Sequence, residues 1–169
     1  AWDVSYTWKA IAPSGNRLAT PERLFLSMVA LSLMWGWYDI TTLLLASFLG
    51  LRRVAEFLSL HTGHFIFPSV SLSSFSVVFI FIGKPKRRRI SAKREHAKID
   101  DAEVVDFFER VIPKFPKGKR IFPGSYAQFR SAHDALVRFF DVGTAEGIGI
   151  TPGSHRGGGA TFLFNLLDD

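Results

Sequence analysis

The sequence of 169 residues contains no cysteine. Disulfide bonds and metal sites built from thiolates are therefore excluded, and the redox compartment cannot be inferred from cysteine usage. Acidic residues are also in deficit, with 15 Asp and Glu against 21 Lys and Arg, which gives a formal net charge of +6. This balance favours a polyanionic partner, either a nucleic acid or an anionic membrane surface.

The sequence also has few polar segments of low complexity, because 47% of its residues are hydrophobic and 17 are phenylalanine. Such a composition excludes a wholly disordered chain and is sufficient for one domain with a real core. The sequence begins at Ala1 and ends within the pattern LLDD, so we expect a fragment of a longer protein. Residues 1–20 are interpreted as a linker or the end of a preceding domain, and residues 21–169 as an incomplete domain.

A long apolar run dominates the first third of the chain. Thr20 and Pro21 predict a helix start, with a helix over residues 21–35 and a second one over 39–49 after Gly36. Residues 24–51 contain one charged side chain and are long enough to span a bilayer. Gly36 and the polar residues 39, 41 and 42 divide the run, so we expect two buried helices instead of a membrane span.

The rest of the chain predicts a small sheet among helices. β-branched and aromatic residues indicate strands, and N-cap residues followed by apolar periodicity indicate helices. The expected elements are a short helix that starts at residue 50 and ends at residue 60, strands at 65–67, 75–82 and 96–99, and helices over 101–112 and 125–140. On the last of these helices, Phe129, Ala132, Leu136, Phe139 and Phe140 are predicted to face inward. The fold class is therefore mainly α with a small antiparallel β-sheet.

The segment TPGSHRGGGAT at residues 151–161 combines several unusual features. Thr151 and Pro152 predict an N-cap and first helical position, which places Arg156 about one turn inside the helix with His155 beside it. The glycines at 157–159 weaken a helix by about 1 kcal/mol each but allow another backbone or a ligand to approach closely. Two interpretations remain open here: an anion site, or a tightly packed helix entry with a surface arginine.

Basic residues are concentrated between positions 84 and 98, where the one acidic residue is Glu95. A charge run can simply be a solvated surface. This one directly follows an apolar strand, so it projects from a fixed scaffold and predicts a loop that contacts phosphates. Its members are Lys84, Lys86, Arg87, Arg88, Arg89, Lys93, Arg94 and Lys98.

Three basic elements thus occur in order: an arginine at a helix start, lysines in a strand turn, and a second arginine at a helix start. Arginine binds phosphate oxygens through a planar fork of donors. Two arginines and a lysine on one phosphate would stabilise the charge of a pentavalent transition state. The lysine could also protonate a leaving sugar oxygen.

This order resembles the catalytic domain of the tyrosine recombinases, the phage-integrase family. The spacing Arg-x-x-Glu in GLRRVAE selects Arg53, not Arg52, as the first arginine and Glu56 as its acid. The turn after the apolar strand places Lys86 at the family's lysine position, with Lys84 as a competitor. The Thr-Pro segment then supplies the second arginine, and the glycines after it resemble the variant in recombinases of eukaryotic mobile elements. The matching catalytic set is Arg53, Glu56, Lys86 and Arg156, and the expected DNA contacts are Lys84, Arg87, Arg88, Arg89, Lys93 and Arg94.

The resemblance implies DNA binding and site-specific recombination or integration on double-stranded DNA, with no metal or nucleotide cofactor. It implies self-association on DNA in the full-length protein, no membrane partner, and a nuclear location if the source is eukaryotic or a cytoplasmic one otherwise. Two departures matter. Gly153 stands where the family has a histidine, and we do not assign that role to His155. The family's nucleophilic tyrosine follows the second arginine, whereas Tyr6, Tyr38 and Tyr126 all precede Arg156.

We therefore expect this chain to bind DNA without cleaving it by itself, although the parent protein is expected to be an enzyme. Two alternatives belong to other classes. The chain could be a recombinase relative that binds DNA without catalysis. It could also be a membrane-associated basic protein, in which residues 24–51 insert and residues 84–98 meet anionic lipid.

Overall fold

The structure is a computed structural model, and it describes residues 18–68, 77–82, 95–142 and 149–168. This part of the chain is mainly helical with a three-stranded antiparallel sheet, which confirms the predicted fold class at that level. The helices are α1 (Glu22–Met34), α2 (Tyr38–Leu49), α3 (Val54–Phe57), α4 (Ala102–Val111), α5 (Tyr126–Phe139) and α6 (Ser154–Asp168). The strands are β1 (Phe65–Ile66), β2 (Val78–Ile82) and β3 (Glu95–Ile99), and short 3₁₀ helices occupy Thr62–His64 and Ile112–Lys114.

A break between α1 and α2 divides the apolar run as predicted. Gly36 adopts a φ of +72°, a left-handed conformation that glycine reaches without steric penalty. Residues 40–48 of α2 are all buried, and the Thr41 hydroxyl bonds to the Trp37 carbonyl at 2.9 Å and to the Ser32 hydroxyl at 2.8 Å. The hydroxyl of Thr41, one of the polar groups that interrupt the run, is therefore satisfied inside the core. Among the described residues, no helix has both the length and the apolar character needed to cross a membrane.

The sheet has the order β1-β2-β3 and packs one face on the core. Val78 lies opposite Ile99 and Ile80 lies opposite Ala97, and all four side chains are buried. The intervening residues of β3, His96 and Lys98, alternate with the buried ones with the period of two that a half-buried strand shows, and Lys98 is exposed. The connection between β2 and β3 lies outside the described residues, as do positions 75 and 76 of the longer strand that we predicted.

Side-chain caps set the starts of α4 and α5. Asp101 accepts a hydrogen bond from the Val104 amide at 3.0 Å, and Ser125 and Gln128 cap each other's backbone amides at 3.3 and 2.7 Å. These are the starts that the sequence predicted. The predicted inward face of α5 is wrong at Phe139, which is 62% exposed in the last turn of the helix, with its ring 5.8 Å from that of Trp35.

Two predicted helix starts are also wrong. The third helix does not begin at residue 50, because Leu51 adopts a φ of +53° and Arg53 is still extended before α3 begins. The regular helix α6 begins at Ser154, two residues after Pro152. In the turn that precedes α6, the Ser154 amide donates to the Thr151 carbonyl at 2.8 Å, and the Ser154 hydroxyl accepts from the Thr151 amide at 3.0 Å.

Helix α6 lies directly against α2 through its glycines. A Cβ atom added at Gly159 would clash with the carbonyl oxygen of Phe48, and one added at Gly158 would clash with the carbonyl oxygen of Thr20. At Gly157 the nearest atoms, in Ala19, would be 3.6 Å away, which is ordinary contact. Two of the three glycines therefore permit close packing of the protein's own backbone, and the third does not require it.

Candidate nucleic-acid interface

A concave surface lies where α3, α5 and the entry to α6 meet. It has a volume of about 350 Å³, and we call it the arginine concavity. Its lining includes two arginines, one tyrosine and, among the described residues, no carboxylate. The lining residues are Arg53, Val54, Ala55, Tyr126, Pro152, Gly153 and Arg156.

The local fold of α3 positions Arg53 at this surface. The left-handed conformation of Leu51 turns the chain out of α2, and Arg53 immediately precedes the helix. Glu56 accepts a hydrogen bond from the Arg53 amide at 3.1 Å, and its other oxygen lies 3.9 Å from the Arg53 guanidinium. The side chain of Glu56 is only 10% exposed. In this geometry Glu56 is a positioning residue for Arg53, because it holds the backbone and the head group together.

The two adjacent arginines point to different places. The Arg52 guanidinium donates to the carbonyl of His96 on β3 at 3.3 Å, whereas Arg53 lines the concavity. Spacing in the sequence selects Arg53, and it is the one that shares a surface with Arg156. Arg52 instead connects the turn after α2 to the sheet.

Arg156 and its neighbour His155 lie on different sides of α6. Arg156 is exposed, and within the described part of the chain its guanidinium has no hydrogen bond or ion pair. His155 is fully buried, and its Nδ1 lies 3.1 Å from the Thr20 hydroxyl. His155 therefore does not take the place of the histidine that the recombinase family has at the position of Gly153, and it supports the helix from the core side.

A second buried histidine accompanies His155. The ring of His133 on α5 lies 5.0 Å from the His155 ring, and the Nε2 atoms of both find no partner within the described chain. Burial, and then the proximity of His133, lower the pKa of His155 to about 3. Burial also lowers the pKa of His133, although the hydrogen bond to Asp134 opposes the shift. Both rings are neutral at pH 7, so the charge at this end of α6 comes from Arg156.

Tyr126 is a residue of the concavity that the sequence patterns do not identify. It is the first residue of α5, is 48% exposed, and lines the same surface as the two arginines. Its place before Arg156 in the chain differs from that of the nucleophile in the recombinase family. No local pattern predicts its position, because the contact depends on how α5 packs beside α6 and α3.

The lysine element of the predicted site lies outside the described residues. This applies to Lys84 and Lys86, to Tyr6, and to the predicted DNA contacts Arg87, Arg88, Arg89, Lys93 and Arg94. Of the basic cluster, Lys98 on β3 is described. It pairs with Asp100 at 2.8 Å, and this hydrogen bond lowers the pKa of the Asp100 carboxyl. The structure thus brings together Arg53, Glu56 and Arg156 from the predicted catalytic set.

No model of a known protein family matches this sequence, and a comparison with curated proteins finds no match either. The resemblance to tyrosine recombinases therefore depends on the sequence motifs alone.

Proposed function

We propose that this chain binds the phosphate backbone of double-stranded DNA through the arginine concavity, as part of a tyrosine recombinase-like catalytic domain. The observation that carries the proposal is that Arg53 and Arg156, far apart in sequence, line one small concave surface. Arg53 immediately precedes α3 and Arg156 lies in the first turn of α6. Their proximity therefore results from the tertiary fold and not from the local sequence. Arg156 has no ion-pair partner within the described chain, which leaves its donors available for an anion.

The chemistry of the concavity fits a phosphodiester. Each guanidinium offers parallel N–H donors that match two phosphate oxygens, and guanidinium groups carry their charge at any physiological pH. Glu56 fixes Arg53 without entering the lining itself. In a strand-cleavage reaction these donors would stabilise the additional charge of the transition state. Lys86 or Lys84 would supply the proton for the leaving oxygen, as the family resemblance implies.

Salt-dependent DNA binding tests the proposal. Fluorescence anisotropy of a labelled duplex would be measured at several salt concentrations for the wild type, Arg53→Ala and Arg156→Ala. We expect each substitution to weaken binding about tenfold and to reduce the slope of log K against log salt by about 0.9, since each variant places one positive charge fewer against the phosphate backbone. Arg23→Ala is the matched control, because Arg23 is exposed on α1 and is not part of the concavity.

The control should retain the wild-type slope. If Arg53→Ala and Arg156→Ala behave like Arg23→Ala, then DNA does not use the concavity and the proposal is wrong. The non-catalytic alternative predicts the same binding data. The two alternatives are distinguished by covalent capture of DNA by the full-length protein, which is expected of an active recombinase and not of a non-catalytic relative.

A further inference from the structure

Tyr126 contributes a polar group to the concavity that the recombinase resemblance does not assign. We infer that its hydroxyl is a third phosphate contact, donating a hydrogen bond to a non-bridging oxygen of a phosphodiester held by Arg53 and Arg156. The inference rests on the proposed function, because it names an additional ligand at the same site. It treats Tyr126 as a binding residue for DNA, whatever chemistry the longer protein performs.

The position of Tyr126 is fixed by its surroundings. Ser125 and Gln128 cap each other's amides, which sets the first turn of α5. One turn further on, Phe129 is fully buried with its ring 5.9 Å from that of Phe122, which anchors the helix to the core. The Tyr126 side chain is half exposed, and its hydroxyl has no hydrogen bond within the described residues. Tyr126, on a firmly anchored helix and with an unused donor within the described residues, therefore lines the same small concavity as Arg53 and Arg156.

A phenol and an arginine that contact the same phosphate can be distinguished experimentally, because the phenol is neutral and the arginine is charged. Arginine contributes both hydrogen bonds and the release of counterions from DNA, so its removal changes the affinity and the salt slope together. A neutral phenol contributes a hydrogen bond to a charged acceptor and releases no counterion. Removal of the Tyr126 hydroxyl should therefore weaken binding equally at every salt concentration. A non-specific disturbance of the basic surface would not produce that pattern.

The chain provides a closely matched control. Tyr38 is also the first residue of its helix and is 49% exposed, but it lines a different cavity with Val111, Lys114 and Phe115. Tyr126→Phe and Tyr38→Phe each remove one oxygen and retain the ring. Both variants should keep the thermal midpoint of the wild type within about 2 °C, because surface substitutions of this kind change stability little.

The experiment measures duplex binding by anisotropy across a salt series for both variants. We expect Tyr126→Phe to bind about tenfold more weakly with an unchanged slope, and Tyr38→Phe to match the wild type. Because Tyr126 and Arg156 are inferred to contact one phosphate, the double variant Tyr126→Phe/Arg156→Ala should lose less than the product of the single losses. Additive losses would place the two residues on different phosphates and overturn the inference.

Three further results would overturn it in different ways. If Tyr126→Phe binds like the wild type while Arg53→Ala and Arg156→Ala weaken binding, the tyrosine contact is wrong and the proposed function stands. If the wild-type chain does not bind duplex DNA, both fail. A nicked suicide duplex on a denaturing gel provides the last comparison. A protease-sensitive shifted band that disappears in Tyr126→Phe would make Tyr126 a nucleophile instead of a neutral ligand, contrary to the expectation that this chain forms no adduct.

Discussion

Adding one methyl group at Gly159 should separate α6 from α2. The new Cβ atom would clash with the Phe48 carbonyl oxygen and lie 2.7 Å from the Phe48 carbonyl carbon and 3.1 Å from Leu51 Cδ2. The first two atoms belong to the backbone of a buried helix, so a side-chain rotation cannot relieve the clash. The helices must move apart, and overpacking of this kind costs about 1–3 kcal/mol or more.

A helix gains about 1 kcal/mol when alanine replaces an interior glycine. At Gly157 this gain meets only ordinary contact with Ala19 at 3.6 Å, so Gly157→Ala should stabilise the protein by up to about 1 kcal/mol. At Gly159 the cost of overpacking exceeds this gain in helix propensity, and we expect the free energy of unfolding to fall by about 2 kcal/mol. The two alanine variants should therefore differ by about 3 kcal/mol, although they are two positions apart on the same helix.

Urea unfolding and thermal denaturation measure this difference directly. For a domain of this size, about 1 kcal/mol corresponds to a change of about 2–4 °C in Tm, so Gly159→Ala should melt about 6–12 °C below Gly157→Ala. The shared chemistry of the two substitutions removes the intrinsic helix propensity from the comparison. Equal stability of the two variants, or a more stable Gly159→Ala, would refute the close packing of α6 on α2.

Two other predictions concern charge. Burial lowers the pKa of His155 to about 3, so the folded state resists protonation of this ring. The contribution of neutral His155 to the free energy of unfolding is therefore complete above pH 6.5 and is lost as the pH falls from about 6.5 towards 3. Urea unfolding should show that the free energy of unfolding falls by about 2 kcal/mol between pH 7 and pH 5 because of this group. His155→Phe should make the free energy of unfolding less dependent on pH. The same pH dependence in both proteins would contradict the prediction. Neutralising Arg87, Arg88 and Arg89 together should reduce the salt slope of DNA binding by about 0.9 for each phosphate that these arginines neutralise, and an unchanged slope would make the cluster a solvated surface.

Local signals in the sequence were sufficient for much of the fold. Gly36, Asp101 and Ser125 predicted where helices end or begin, because a left-handed glycine and a side-chain cap act within a few residues. The wrong predictions have a different origin. The left-handed Leu51 is imposed by tertiary packing, since leucine has no preference for that conformation. In the last turn of α5 the ring of Phe139 lies against that of Trp35, which is itself exposed, so the apolar periodicity that includes Phe139 does not indicate burial there.

The candidate site was predictable only in its separate parts. Arg53 and Glu56 follow from an i, i+3 spacing, and Arg156 follows from a helix start, both of which are local properties. That Arg53 and Arg156 share a concavity depends on the packing of both α3 and α6 against α2. Tyr126 illustrates the same limit, because its order in the chain argued against a role at the site, while its position in space places it there.

The structure shows one of the two interpretations of residues 151–161, a tightly packed helix entry with a surface arginine, and the anion site remains a prediction. Ser154, His155, Gly158 and Gly159 are buried, whereas Arg156, Gly157, Ala160 and Thr161 are exposed, a pattern with the period of an α-helix. The glycines permit the tight packing and the arginine supplies the charge, so one interpretation does not exclude the other. This division has a measurable consequence. Arg156→Ala should weaken DNA binding and leave stability unchanged, whereas Gly159→Ala should lower stability and displace the helix that carries Arg156.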